Sequence, residues 1–244
     1  MFEEVNREVP LNGLNWFFDH AETISDHSLE RVKALGGGIA VQHRMAFQGE
    51  YFVDRYGAKA AERTPPIRRM LEMGIPVGAG TDATRVASYN PWVSLYWLVT
   101  GRTAGGLQLY REKARLSREE ALGLYTQGSS WFSGETGKKG TLKPGQFADL
   151  AVLSEDFFSV QEEEIKGLES VLTILGGKVV YGAEEFRDLA PPLLPVLPEW
   201  SPVGKYGGYQ NLTPQQTPAV STCCGPNPWA TTGPWGASCG CFAF

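Results

Sequence analysis

Along the first 135 residues, short apolar runs alternate with segments whose apolar residues recur at helical spacing. Residues 14–19 read as a strand that closes on polar residues, residues 39–42 as a second, buried strand, and residues 75–80 as a third. Between the first two, residues 27–35 carry Leu29, Val32 and Leu35 at helical spacing. Ser25 or Asp26 caps this helix and Gly36-Gly37-Gly38 stops it. Residues 65–73 predict a helix opened by paired prolines and closed at Gly74. Residues 92–98 are an apolar helix candidate, and in residues 117–125 Ser117 and Glu120 form a capping box. Such alternation implies α/β packing around a parallel sheet.

The pattern changes near residue 136. Lys143-Pro144-Gly145 marks a turn, and residues 147–153 and 170–175 read as strands. Gly176-Gly177 then turns the chain into a partner strand at 178–181. Three regions are expected: an α/β part over 1–135, a small β-rich module over 136–190 and an irregular tail over 191–244. The tail is rich in proline and glycine and carries no charge beyond Lys205. That predicts a segment that wraps the body or stays partly disordered, with Trp200, Trp229 and Trp235 as packing anchors.

Composition works mainly by exclusion. With 244 residues, 42% of them hydrophobic, the chain can bury a sizeable core. A net charge of −5 without a Lys/Arg stripe argues against a nucleic-acid partner. No apolar run reaches 18 residues, and Ser94 interrupts the stretch 91–99, so no membrane span is expected. The polar, acidic start does not resemble a secretory leader, which makes the cytoplasm the expected location. All four cysteines, Cys223, Cys224, Cys239 and Cys241, fall in the tail, so no disulfide framework holds the body. Their C-C and C-x-C spacings are tighter than structural zinc sites use. Residues 101–106 are glycine-rich but lack the Lys-Ser/Thr of a phosphate loop.

The candidate chemistry sits at strand ends. His20 follows the first strand, His43 the second, and Asp82 stands just past the third. In a parallel α/β barrel those ends converge on one face. Neutral imidazole and carboxylate suit Zn²⁺ and similar divalent ions. Each residue also has a bland reading, the histidines as satisfied structural side chains and Asp82 as a turn residue. His27 reads as a solvated residue of a first helical turn, and Asp149 as structural. Arg63, before Thr64-Pro65-Pro66, is either a helix-start surface residue or a contact for an acidic substrate.

These residues also carry a family resemblance. Asp19-His20-Ala21, Ile24-Ser25, Ala40-Val41-Gln42-His43 and Gly78-Ala79-Gly80-Thr81-Asp82-Ala83 resemble, in order, the amidohydrolase superfamily and its amidohydrolase 3 branch. Residues 140–153 resemble the family's G-x-L-x-P-G-x-x-A-D-L-x-V-L segment, and residues 173–181 its closing hairpin. The resemblance implies the C-terminal half of a (β/α)8 (TIM) barrel plus part of a small β-sandwich module. It implies His20, His43 and Asp82 as ligands of a divalent metal, zinc foremost, and Asp82 also as the base that takes a proton from the attacking water. The substrate class it implies is a small amide or amidine, cleaved at a carbon–nitrogen bond other than a peptide bond. Arg63 resembles an Arg before Pro in related chains and is the substrate-binding candidate.

One departure stands out. The family's H-x-H pair after the first barrel strand is absent here, and no clean seventh strand is legible between His43 and Asp82. A truncated gene is the expectation. The alternatives are a non-catalytic remnant that docks on another copy, as a homo-oligomer, or on a separate N-terminal half, and an unrelated α/β binding protein.

Overall fold

The computed structural model describes residues 1–83 and 87–192. The helices are α1 (Phe2–Glu8), α2 (Asp26–Ala34), α3 (Arg44–Tyr56), α4 (Ala58–Ala61), α5 (Ile67–Glu72), α6 (Pro91–Thr100), α7 (Arg118–Gly123) and α8 (Ser129–Phe132). The strands are β1 (Phe17–Asp19), β2 (Gly38–Gln42), β3 (Val77–Gly80), β4 (Leu150–Leu153), β5 (Ser170–Leu175) and β6 (Lys178–Gly182). The fold is α/β, with a parallel sheet in order β1-β2-β3 and an antiparallel one in order β4-β5-β6. Both belong to one compact unit, Met1–Pro191. No helix among the described residues is long and apolar enough to cross a membrane. The tail cysteines and Trp200, Trp229 and Trp235 lie outside the described residues.

The parallel sheet has two unlike faces because side chains alternate along a strand. Ile39 and Val41 of β2, with Val77 of β3, join the core that holds Leu29 and Val32 of α2 and Ile67 and Met70 of α5. The opposite face is built from small residues. A Cβ on Gly78 would stand 2.7 Å from the Phe132 ring, and one on Gly38 would stand 2.7 Å from the Trp131 ring, so α8 can lie against the sheet only over glycine. The expected third strand begins later, at Val77, and no strand intervenes between β2 and β3. They pair directly, with Gln42 opposite Gly80.

Helix ends follow their signals. Ser25 caps α2 by accepting from Ser28 N at 3.2 Å, and Gly36, at φ 70°, turns the chain out of it. Asn90 caps α6 by accepting from Trp92 N, with Pro91 in its first turn. Ser117 and Glu120 close the capping box of α7 in both directions. The helix expected over 117–125 runs on differently: α7 ends at Gly123, and a π-helical turn, Leu124–Gly128, carries the chain into α8. In the antiparallel sheet, Gly176 and Gly177 take φ 56° and 79° at the β5–β6 turn, and Asp149 accepts from Gly176 N at 2.7 Å.

Candidate functional site

The C-terminal ends of β1 and β3 each close on a residue with left-handed backbone. His20 has φ 70°, Ala21 φ 54° and Asp82 φ 49°. None is glycine, and L-residues seldom occupy that region except where the surroundings hold them there. The His20 N–H is fixed by the Ala40 carbonyl at 2.8 Å, which ties the turn to the neighbouring strand. The result is a cavity of about 450 Å³ over the small-residue face of the sheet, walled by Phe17, Asp19, His20, Gln42, Asp82 and Phe132 among others.

Two of the three expected ligands meet there. His20 Nε2 stands 3.8 Å from Asp82 Oδ2. On the other side of the ring, Gln42 Nε2 lies 3.1 Å from His20 Nδ1 and donates to Glu22 Oε1 at 2.7 Å. His43 sits deeper. It precedes α3, its ring packs 5.3 Å from that of Phe47, and it is fully buried. Neither ring nitrogen has a partner in good hydrogen-bond geometry, and the backbone of Gly80 is the polar group that reaches the ring. Burial pushes the imidazole down to about 4, opposed in part by the backbone at Gly80 and by the Asp82 carboxylate. At neutral pH His43 is therefore uncharged and has a free lone pair. Among the described residues, no group of three or more His, Cys, Asp or Glu side chains is gathered so as to hold a metal ion.

The remaining expected residue lies elsewhere. Arg63 Nη2 is held by both oxygens of Asp26, at 2.9 and 3.1 Å, on the exposed surface, and it does not line the cavity. His27 is exposed in the first turn of α2. Three contributors went unread in the sequence. Glu22 looks like an ordinary loop acid two places past His20. Ser129 and Phe132 line the cavity from α8, and neither carries a strand-end signal.

A sequence model of the amidohydrolase family matches residues 1–181. The amidohydrolase YtcJ of Bacillus subtilis is 25% identical over 180 residues, which cover 72% of this chain and 34% of that protein. The N-substituted formamide deformylase of Arthrobacter pascens is 27% identical over 165 residues, 67% of this chain and 30% of that one. Among solved structures, a metal-dependent hydrolase from Pyrococcus horikoshii superposes with a TM-score of 0.54 at 25% identity, covering 66% of this chain and 32% of its own. The chain thus spans about a third of the length of the curated relatives it matches.

Proposed function

Because this chain belongs to the amidohydrolase family, we propose that it supplies part of the active centre of a metal-dependent hydrolase of carbon–nitrogen bonds other than peptide bonds. One observation carries the reading: His43 is buried with neither ring nitrogen in a well-formed hydrogen bond, and only the Gly80 backbone nearby. A buried polar group without a partner is destabilising unless a ligand completes it. The ends of the two flanking strands carry another imidazole, His20, and a carboxylate, Asp82. Imidazole and carboxylate are donor types that Zn²⁺ or a similar divalent ion takes. On this reading the parallel sheet is a sector of a (β/α)8 barrel, whose active face lies at the C-terminal strand ends. The antiparallel sheet is part of the small β-sandwich module, beside the barrel part over residues 1–135.

His20, His43 and Asp82 would hold a divalent ion, which when bound would supply Lewis acidity toward a carbonyl or amidine and lower the pKa of water. The chain's own groups do the rest. Asp82 is the base, taking the proton as water attacks the amide or amidine carbon. Phe17 and Phe132 wall the cavity and receive the apolar part of a small substrate. Arg63 can meet an acidic substrate only by leaving Asp26. Given the Arthrobacter pascens relative, N-substituted formamides are the first compounds to try.

A second reading has its own support. The described residues gather no three-donor cluster, and the three histidines include no H-x-H pair. A partner half or a second copy then completes the donor set. Zinc titration of the metal-free chain, with His20→Ala, His43→Ala and Asp82→Asn alongside, tests the shared premise. Binding near one equivalent, lost in each variant, is expected. Unchanged binding in all three sinks the metal reading. Formamide hydrolysis by the chain alone selects the first reading. Hydrolysis only after a barrel's N-terminal half is added selects the second.

A further inference from the structure

We propose that Gly80 determines the specificity of the cavity: its missing side chain leaves a bay on the parallel sheet that takes the short apolar group of an uncharged small molecule. This rests on reading the cavity as the substrate site. It does not call on a metal ion, because it concerns only the apolar end of the ligand.

The argument starts from three glycines on the small-residue face, Gly38 in β2 and Gly78 and Gly80 in β3. Packing accounts for the first two. A Cβ on Gly38 would meet the Trp131 ring and one on Gly78 the Phe132 ring, each at 2.7 Å. Residues two places apart on a strand share a face, so a Cβ on Gly80 would point the same way as one on Gly78. Among the described residues, however, nothing lies within 4 Å of it. The backbone does not ask for glycine either, since Gly80 lies outside the left-handed region. Glycine inside a strand weakens it and marks a place where a ligand or another backbone comes close.

Strand register defines what borders this opening. Gly80 stands opposite Gln42, Gly78 opposite Ala40, and Ala40 opposite Asp19. The floor is therefore Ala40 and the bare backbone of Gly80. Gln42 forms one flank, and its amide is already committed: Oε1 accepts from Arg44 N–H and Nε2 donates to Glu22 Oε1. At the inner end the Phe132 ring covers Gly78 and meets Phe17 edge to face, with centroids 4.8 Å apart. Gly78 and Gly80 stand roughly 7 Å apart along the strand. At the outer end the chain runs on to Asp82, which faces His20 at 3.8 Å. The bay is thus apolar at depth and polar at its mouth.

That polarity sets the ligand class. A molecule that presents an amide-like group at the strand ends can lay a short alkyl chain or a single ring over Gly80 toward Phe132. A charged tail would lose its hydration against two aromatic rings without gaining a partner. The cavity, about 450 Å³ in all, lies within the size range of small-molecule sites.

The test measures binding of formamide and its N-methyl, N-propyl and N-butyl derivatives to the full ¹⁵N-labelled chain, followed by the backbone amide shift at position 80. Wild-type affinity should rise with the length of the alkyl group. Gly80→Ala adds a methyl that meets no atom, so it should keep the thermal midpoint and the affinity for formamide itself. It should weaken binding of the N-butyl compound by about tenfold or more, and Gly80→Val should erase the dependence on length. If the wild type shows that dependence and both variants keep it, the apolar group lies elsewhere: the cavity reading stands and this role falls. If none of the four compounds binds, with or without zinc, both fall. A chain that binds no zinc yet shows a length dependence erased in Gly80→Val keeps this role and loses the metal reading.

Discussion

His43 is a residue whose cost and use separate cleanly by experiment. In the metal-free chain its ring is buried with neither nitrogen in a well-formed hydrogen bond. Replacing an unsatisfied buried group by an apolar one of similar shape is close to neutral. His43→Leu should therefore move urea-unfolding stability by less than about 1 kcal/mol without metal. With free zinc at 100 times its dissociation constant, the wild type should gain about 2.7 kcal/mol and the variant should gain none. Parallel denaturation curves with and without zinc check both halves. At this scale the sequence was legible where a reactive residue type ended a strand, as His20, His43 and Asp82 did. It was silent on how they are held. Left-handed backbone usually announces itself as glycine, and at His20, Ala21 and Asp82 it does not. Glu22 reaches the His20 ring only through that unannounced turn. Arg63 is held by Asp26 through a surface ion pair, a partnership with no signature along the chain.

Glu120 shows how one residue can serve two elements. It closes the α7 capping box and also receives both terminal guanidinium nitrogens of Arg68, in α5, at 2.5 and 2.8 Å. Arg68 holds its carboxyl below the ordinary glutamate value. A lowered folded-state value means the contribution is fully present above the unfolded value and fades as pH falls through the folded one. Glu120→Ala should cost about 1–2 kcal/mol at pH 7. The gap between variant and wild type should narrow toward pH 3 in urea titrations. Gly128 carries a second prediction. A Cβ there would stand 2.4 Å from the Val77 carbonyl, so Gly128→Ala must shift the π-helical turn off β3. It should lower stability by about 1–3 kcal/mol, read as a lower thermal midpoint. The capping box was plain in the sequence; α3 was not. The buried face of α3 is Met45, Ala46 and Gly49, and a pattern of apolar residues does not register alanine and glycine. Gly49 is small because Leu109 and Thr103 occupy the place of its Cβ, at 2.5 and 2.7 Å, and both lie far along the chain.

For the molecule as a whole, the alternation of strands and helices foretold a parallel sheet, and the glycine turn foretold the antiparallel one. The expectation of a further strand between His43 and Asp82 was wrong: β2 and β3 are direct neighbours, so His43 and Asp82 follow adjacent strands. Among the described residues β1 and β3 are edge strands, and Phe2, Phe17 and Phe18 are exposed on or beside β1. Exposed edges with aromatic side chains promote association. Sedimentation velocity should show apparent mass rising with concentration above the 26.7 kDa of one chain, and Phe18→Lys should flatten that rise. Stable monomers across the range would show that these edges do not recruit a partner. A different consequence follows from α6. Every residue from Ser94 to Thr100 is buried. Its Tyr96 hydroxyl donates to Glu163 at 2.8 Å, Trp92 packs on Phe157, and its Leu98 carbonyl receives Leu116 N. A helix gripped on all sides has no way to open alone, so its amides can trade hydrogen for deuterium only when everything around it comes apart. The centre of α6 and the buried stretch of β5 should then exchange last and with the same free energy, marking the two sheets as a single cooperative fold.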